Sequence, residues 1–208
     1  MNIPDMYSYL VRARRELWGA LEAVPDEVLS RPLLGGERFH CIKDLLFHIA
    51  AVEDSWLHED IEQNEPVLMR MPALKDTTGG PEYAGFPLST LLDYWRAVEQ
   101  STLGYLDTLA DGELERAVRL HDAPEQCYTV RGLLWHVMLH EVRHTAQTQC
   151  FCAPKASSPL LWICCGFCPT VKQGYAGQAR VNPSSVLGEI CYSILGQNAL
   201  HSALDSAR

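Results

Sequence analysis

Four amphipathic segments with the spacing of α-helices dominate the first 149 residues of this chain. They cover residues 5–24, 42–63, 88–109 and 129–149. In each of them apolar residues recur every three or four positions, as Leu17, Leu21 and Val24 do in the first, so each helix would present one apolar face. Strand-like alternation is confined to a short extended segment at 115–120. The pattern therefore predicts an all-α fold, an up-and-down four-helix bundle.

The segments are separated by sequences that stop helices. Pro25 ends the first segment and the Ala110-Asp111-Gly112 step ends the third. The connection at 66–87 is long, rich in proline and glycine, and without periodicity. Because loops of this length in compact domains often border a site, we expect this one to form a wall of a substrate site.

The pattern changes after Gln149. Six of the eight cysteines lie in residues 150–208, where helical periodicity is weak apart from a short predicted helix at 185–195. We therefore expect a helical domain at 1–149 and an irregular cysteine-rich tail at 150–208. Two interpretations of the tail stay open: a frameshifted segment not selected for this fold, or a structural zinc site made by four cysteines, namely Cys150, Cys152, Cys165 and Cys168.

Charge and hydropathy exclude some partners. The formal net charge is −9 and no basic stripe compensates it, so nucleic-acid binding is disfavoured. The opening residues lack the apolar core of a signal peptide. The longest later apolar stretch, 159–168, is about half of a membrane span. The sequence thus predicts a cytoplasmic protein that does not enter a membrane.

Three histidines carry the strongest functional signal. His140 and His144 are four residues apart, so their imidazoles project from one helix face, and His48 lies on the second predicted helix. Together they could hold one divalent metal ion and leave positions open for water or substrate. His136 lies one turn earlier, about 40° off that line, and suits an outer-shell role or replacement of His144. The other histidines are predicted to be loop or solvent residues: His40, His58, His121 and His201.

The same segment matches the H-E-x-x-H pattern of zinc peptidases, with Glu141 in the position of the general base. The chain departs from that class in two respects. The positions where one large peptidase group carries Gly and His hold Gln147 and Cys150, and no strands are evident to bind a peptide backbone. A metallopeptidase remains an alternative.

The first 149 residues resemble the DinB/YfiT-like superfamily of metalloproteins. The resemblance rests on residues 20–32, 45–57 and 133–147. It implies a four-helix bundle, often a homodimer, in which one histidine from the second helix and two from the last hold Zn, Ni or a similar ion. By position, His48, His140 and His144 match these ligands, and Gln147 matches a glutamine suited to an outer-shell role. Glu53 matches a common acidic position, where we expect a surface or interhelical ion pair.

Some relatives in that superfamily transfer thiols such as bacillithiol or mycothiol. The resemblance therefore implies a metal-dependent thiol S-transferase, with a small-molecule thiol and an electrophile as partners. The chemistry is consistent, since a metal with open positions can hold a thiol as thiolate without a protein base. Zn or Ni is expected, Fe or Mn would also fit, and no catalytic side chain is assigned. A non-catalytic, metal-binding or stress-associated homodimer is the other alternative.

Overall fold

The structure is a computed structural model that describes residues 2–33, 40–76 and 83–152. Its helices within these residues are α1 (Ile3–Glu22), the short α2 (Asp26–Leu29), α3 (Ile42–Asp54), α4 (Leu88–Asp107) and α5 (Val130–Cys152). Two short antiparallel strands precede α5, β1 (Ala117–Arg119) and β2 (Cys127–Thr129), with Val118 opposite Tyr128. The predicted all-α four-helix bundle is confirmed, with α1, α3, α4 and α5 as its long helices.

Local signals place the helix ends close to the predicted positions. The side chain of Asn2 accepts a hydrogen bond from the backbone N–H of Asp5 at 2.8 Å, which satisfies a free donor in the first turn of α1. Asp44 does the same at the start of α3, where its carboxylate accepts the N–H of Cys41 at 3.0 Å. After α4 the chain turns at Gly112, whose φ of 81° is a left-handed conformation that glycine adopts at little cost.

Two apolar clusters show how the helices run. One cluster joins the C-terminal half of α1 to the N-terminal halves of α3 and α4. The other joins the N-terminal halves of α1 and α5 to the C-terminal end of α4. Helices α1 and α5 therefore run in one direction and α3 and α4 in the other, and both α1 and α3 pack against α4 and α5. The bundle is thus ordered up, down, down, up along the chain, and the strict up-and-down order predicted from the sequence is corrected, because consecutive helices α3 and α4 are parallel. The connection at 63–87 brings the chain back so that α4 can run alongside α3.

A buried charged layer lies between the two apolar clusters. The guanidinium of Arg14 on α1 is fully buried and contacts a glutamate from each of the other three long helices. It donates from Nη2 to Glu53 at 2.9 Å, from Nη1 to Glu99 at 3.4 Å, and from Nε and Nη2 to Glu141 at 2.9 and 2.6 Å. Because a buried ion needs partners to offset its desolvation, this layer ties the four helices together at one level.

Helix α3 continues as a π-helical segment, Ser55–Glu62, which ends where Gln63 adopts a left-handed φ of 55°. His58 in this segment is only 1% exposed, so the prediction that it is a loop or solvent residue is wrong. Its Nδ1 lies 2.7 Å from the carboxylate of Asp54 and its Nε2 lies 2.7 Å from Ser101 Oγ on α4. These hydrogen-bond partners offset the cost of burying the polar imidazole, and only Asp54 is close to His58 in sequence.

Asp54 also organises the start of the long connection. Its carboxylate accepts the backbone N–H groups of Val67 and Leu68, both at 2.9 Å, and the hydroxyl of Tyr94 at 2.8 Å. Farther along the connection, Tyr83 stacks on Phe47 of α3 with ring centroids 3.8 Å apart. The described part of this connection therefore packs on the core. Its predicted role as a wall of a substrate site stays a prediction.

The extended segment predicted at 115–120 contains β1, whereas β2 was not predicted. Three residues that run up to the start of a predicted helix carry too little alternation to reveal a strand that forms only by pairing with β1. Helix α5 includes Cys150 and Cys152. The other predictions for the tail, namely the helix at 185–195, the cysteines at 165 and 168, and the frameshift, lie outside the described residues. Across 2–33, 40–76 and 83–152, no helix combines the length and apolar content needed to cross a bilayer.

Replacing Arg14 by Met should lower the free energy of unfolding by about 3–5 kcal/mol, because three carboxylates would lose their buried cation. Urea unfolding followed by circular dichroism measures the change. Arg96→Met is the matched control, since the Arg96 side chain is 41% exposed in its ion pairs with Glu22 and Asp93. That variant should change stability by no more than about 1 kcal/mol. Equal effects of the two substitutions would contradict a structural role for the buried layer.

The His58–Asp54 pair should make stability depend on pH. Burial alone would lower the pKa of His58, but the hydrogen bond and charge of Asp54 outweigh it and raise the pKa above its usual value. Stabilisation by this pair is therefore complete below the pKa of unfolded histidine and is lost as the pH rises through the raised pKa.

The measurement is the difference in unfolding free energy between the wild type and His58→Gln. We expect it to be larger near pH 6 than near pH 9, by on the order of 1 kcal/mol. His121→Gln serves as the control, because the His121 side chain is 73% exposed. A His58→Gln difference that stays constant over this pH range would show that the imidazole is not charged in the folded protein.

Candidate metal centre

Helices α3 and α5 run antiparallel and bring three distant histidines together. His48 on α3 and His140 on α5 are half-buried, and His144, one turn after His140, is 6% exposed. Each offers one ring nitrogen, and these three atoms all lie within 4.8 Å of one another. The three histidines singled out in the sequence therefore form one cluster at the edge of the bundle.

The geometry of the cluster suits a shared ion. The Nε2 atoms of His48 and His140 are 3.0 Å apart. Two ligand nitrogens at about 2.1 Å from one ion, with an angle near 90° between them, would be separated by about 3.0 Å. The ring centroids of the three imidazoles lie 4.3, 4.8 and 5.1 Å from one another. The donor set thus fits a divalent ion held on one side by three neutral nitrogens, with its other positions open.

Gln147 orients one of the three imidazoles. Nδ1 of His144 donates to Oε1 of Gln147 at 2.5 Å, one helical turn further along α5. This hydrogen bond fixes the proton on Nδ1 and leaves the lone pair of Nε2 for a ligand bond. An imidazole whose second nitrogen is held in this way is typical of metal-binding histidines.

His136 lies beside the cluster rather than in it. Its ring is 6.2 Å from that of His140 and 5.0 Å from that of Trp56, centroid to centroid. The group of three that could share an ion does not include it. His136 therefore lies beside His140 with its other neighbour Trp56, and an outer-shell role for His136 stays a prediction.

The electrostatic environment keeps His140 neutral. Burial lowers its pKa far below the usual histidine value, and the positive charges that His144, His48, His136 and Arg143 can carry lower it further. A neutral imidazole is the form that binds metals. The charge state of His140 at physiological pH is therefore already the one that coordination requires.

Glu141 belongs to the core and not to the histidine cluster. Consecutive residues point about 100° apart around a helix, so Glu141 cannot share the face of His140. Glu141 is 3% exposed, and its carboxylate receives two hydrogen bonds from Arg14. Burial raises its pKa while Arg14 acts in the opposite direction. The H-E-x-x-H string therefore consists here of two cluster histidines and one core ion pair.

Glu53 forms the interhelical ion pair expected for it, in the core rather than at the surface. It is 2% exposed, pairs with Arg14, and accepts hydrogen bonds from the hydroxyls of Tyr7 and Thr102. Arg14 was not identified from the sequence. Its position four residues after Leu10 and three before Leu17 puts it on the apolar face of α1, and that signal could have revealed a buried charge.

The remaining described histidines stay apart from the cluster. His40 and His121 are exposed and lie outside helices, which confirms the prediction for both. His201 lies outside the described residues. The candidate site is therefore defined by His48, His140 and His144, with Gln147 as the side chain that orients one ligand.

A sequence model of the DinB family matches residues 1–151, which include all three histidines and Gln147. A search of curated proteins found none that matches the chain.

Replacing His48 by Ala should weaken binding of Ni²⁺ or Zn²⁺ by at least about 100-fold, because it removes the one ligand that α3 supplies. Gln147→Ala should weaken binding by about 10–100-fold through loss of ligand orientation. Isothermal titration of the metal-free protein under reducing conditions measures both effects. His121→Ala, which removes an exposed imidazole, should bind like the wild type. Equal affinity of the His48→Ala variant and the wild type would remove the cluster as the metal site.

Proposed function

The chain belongs to the DinB family, and on that premise we propose that it is a metal-dependent thiol S-transferase. In this proposal His48, His140 and His144 hold one divalent ion, and a small-molecule thiol is transferred to an electrophile. The observation that carries the proposal is the convergence of three ring nitrogens within 4.8 Å at the edge of the bundle. Three neutral ligands leave the ion its full charge and free positions, which suits catalysis better than a closed structural site.

The chemistry requires activation of a weak nucleophile. A bound divalent ion would supply Lewis acidity, which lowers the pKa of a thiol that reaches it. In the transfer, sulfur bonds to the electrophilic carbon, the bond to the leaving group breaks, and the thiol proton passes to solvent. No side chain is required as a base. This fits the structure, because the carboxylate next to His140 in sequence, Glu141, is held by Arg14.

The residues around the cluster have separate tasks in this proposal. Gln147 holds the His144 ring, and the His136 ring lies beside that of His140 and against that of Trp56. Arg143 adds positive charge close enough to lower the pKa of His140. That charge would favour a thiol that approaches as an anion.

Imidazole ligands accept several metals, so Zn or Ni is proposed, with Fe or Mn as substitutes. We place the reaction in the cytoplasm, where low-molecular-weight thiols are kept reduced.

The peptidase alternative depends on a free Glu141 carboxylate beside the metal. The bidentate contact with Arg14 in the core argues against it. The second alternative, a metal-binding protein without catalysis, shares the same histidines and differs only in turnover. An activity assay therefore separates all three functions.

The assay uses the metal-loaded protein with bacillithiol, mycothiol or glutathione and a fluorogenic electrophile such as monochlorobimane. We expect metal-dependent conjugation with at least one thiol, and a fall to the rate of metal-free protein in His144→Ala. Glu141→Gln, whose amide can still accept a hydrogen bond from Arg14, should keep its activity at temperatures where circular dichroism shows it folded. A peptidase would instead lose its activity with that substitution.

The results that would reject the transferase proposal differ from one alternative function to the other. If the wild type binds metal but consumes none of the three thiols above the metal-free rate, the transferase is rejected and the non-catalytic metal-binding protein remains. Metal-dependent cleavage of a denatured protein substrate, abolished by Glu141→Gln, would establish the peptidase.

A further inference from the structure

A serine, a histidine and an aspartate form a continuous chain of polar contacts between α4 and the π-helical segment. Nε2 of His58 lies 2.7 Å from Oγ of Ser101, and Nδ1 of His58 lies 2.7 Å from a carboxylate oxygen of Asp54. That carboxylate is held in turn by two backbone N–H groups and by the hydroxyl of Tyr94. A hydroxyl, a base within hydrogen-bond reach and a third group that orients the base are the three parts of a nucleophilic site.

The backbone around His58 is unusual. His58 lies in the π-helical segment Ser55–Glu62, and π-helical turns are rare and occur frequently at functional sites. The segment ends at Gln63, whose left-handed φ of 55° is uncommon for a residue other than glycine. Residues in such sparsely populated conformations cluster at active sites and ligand sites. The irregular segment here directs the imidazole of His58 towards α4.

Ser101 lies at an edge of the bundle that small molecules can reach. His58 and Asp54 are buried, whereas Ser101 is only partly buried. Ala97 and Gly104 are its neighbours at four residues before and three residues after it on the same face of α4. Gly104 is exposed, and among the described residues a Cβ placed on it would meet no neighbour within 4 Å. The space beside the hydroxyl is therefore bordered by two of the smallest residues.

We propose that Ser101 is a second reactive site, a nucleophilic serine that accepts the acyl group of small, uncharged, activated esters. In this reaction Oγ of Ser101 attacks the carbonyl carbon, and its proton passes to Nε2 of His58. The bond to the leaving alcohol then breaks, and His58 gives the proton to that alcohol. Water releases the acyl group as a carboxylic acid by the same two steps and restores the hydroxyl. Asp54 keeps the proton of the neutral imidazole on Nδ1, so that Nε2 presents its lone pair to the serine.

Charge and backbone limit the substrate class. Glu62 Oε2 lies 3.8 Å from Nε2 of His58, and with Asp54 it places two carboxylates beside the imidazole, which disfavours anionic esters. Ser101 lies inside α4, where backbone N–H groups bond to the preceding turn and so are not free to bind an oxyanion. Esters with good leaving groups need that stabilisation least, and peptides are not expected as substrates. The inference holds whether or not the histidine cluster binds a metal.

Diisopropyl fluorophosphate tests the nucleophile in the full chain, because it is uncharged and transfers its phosphoryl group to an activated serine with release of fluoride. Mass spectrometry of the peptides locates the label. We expect it on Ser101 and not on Ser55, whose hydroxyl donates to Glu59 instead. His58→Gln should slow labelling at least about 100-fold through loss of the base. His121→Gln, which removes an exposed imidazole, should react like the wild type.

The pH profile of the wild type separates a reactive serine from a structural hydrogen bond without any substitution. The groups that face His58 are Asp54 and Glu62 of its own helix and, from α4, the hydroxyl of Ser101, while that of Tyr94 reaches it only through Asp54. In the described part of the chain, α5 and β1 add no charged partner. Although burial lowers the pKa of His58, Asp54 raises it above its usual value. Because a protonated imidazole cannot accept a proton, labelling should rise with pH through that raised pKa and then level off.

The ester itself is tested with p-nitrophenyl acetate, whose hydrolysis by the wild type should exceed that by Ser101→Ala. Three results would overturn the proposal. The first is the absence of label on Ser101 at any pH. The second is a labelling rate that stays constant with pH, or that a folded His58→Gln variant leaves unchanged; where that variant does not fold, the pH profile decides. The third is equal ester hydrolysis by the wild type and Ser101→Ala.

Discussion

The buried guanidinium of Arg14 is the contact on which the arrangement of the helices depends. It lies between two apolar clusters and reaches one carboxylate on each of α3, α4 and α5. A one-turn slip of any of these helices would leave a charged group unpaired in the core, which is far costlier than a small loss of apolar contact. The network therefore selects one register among the packings that apolar faces alone would allow. Through Glu141 it also fixes how α5 is rotated about its own axis.

That rotation gives α5 three faces with different tasks. Glu141 and its apolar neighbours face the core, His140 and His144 face α3, and Leu139 and Val142 face outward. Adjacent residues fall on different faces because each step turns about 100°. A short string that matches a peptidase motif is thus divided between a core ion pair and a histidine cluster. The motif shows which residue types are present, and the rotation of the helix decides which of them meet.

Local features of the sequence were sufficient to predict the four helices and the pairing of His140 with His144, because both depend on spacing along one helix. Bringing His48 to that pair needed the antiparallel arrangement of α3 and α5. The family resemblance implied that the three histidines meet, whereas a strict up-and-down order would have made these two helices parallel. The burial of His58 could not be predicted, since its partner Ser101 lies 43 positions away. The position of Arg14 on the apolar face of α1 could have indicated its burial, but not its three glutamate partners, which come from three other helices. Strand β2 could not be predicted either, because it forms only by pairing with β1.

The most direct test of the metal centre is X-ray absorption spectroscopy of the full chain loaded with one equivalent of Ni²⁺ or Zn²⁺. The expected spectrum shows nitrogen or oxygen neighbours at about 2.0–2.1 Å, with the outer scattering of three imidazole rings. Sulfur neighbours at about 2.3 Å would place the ion on cysteines instead. That result would contradict the assignment of His48, His140 and His144 as its ligands.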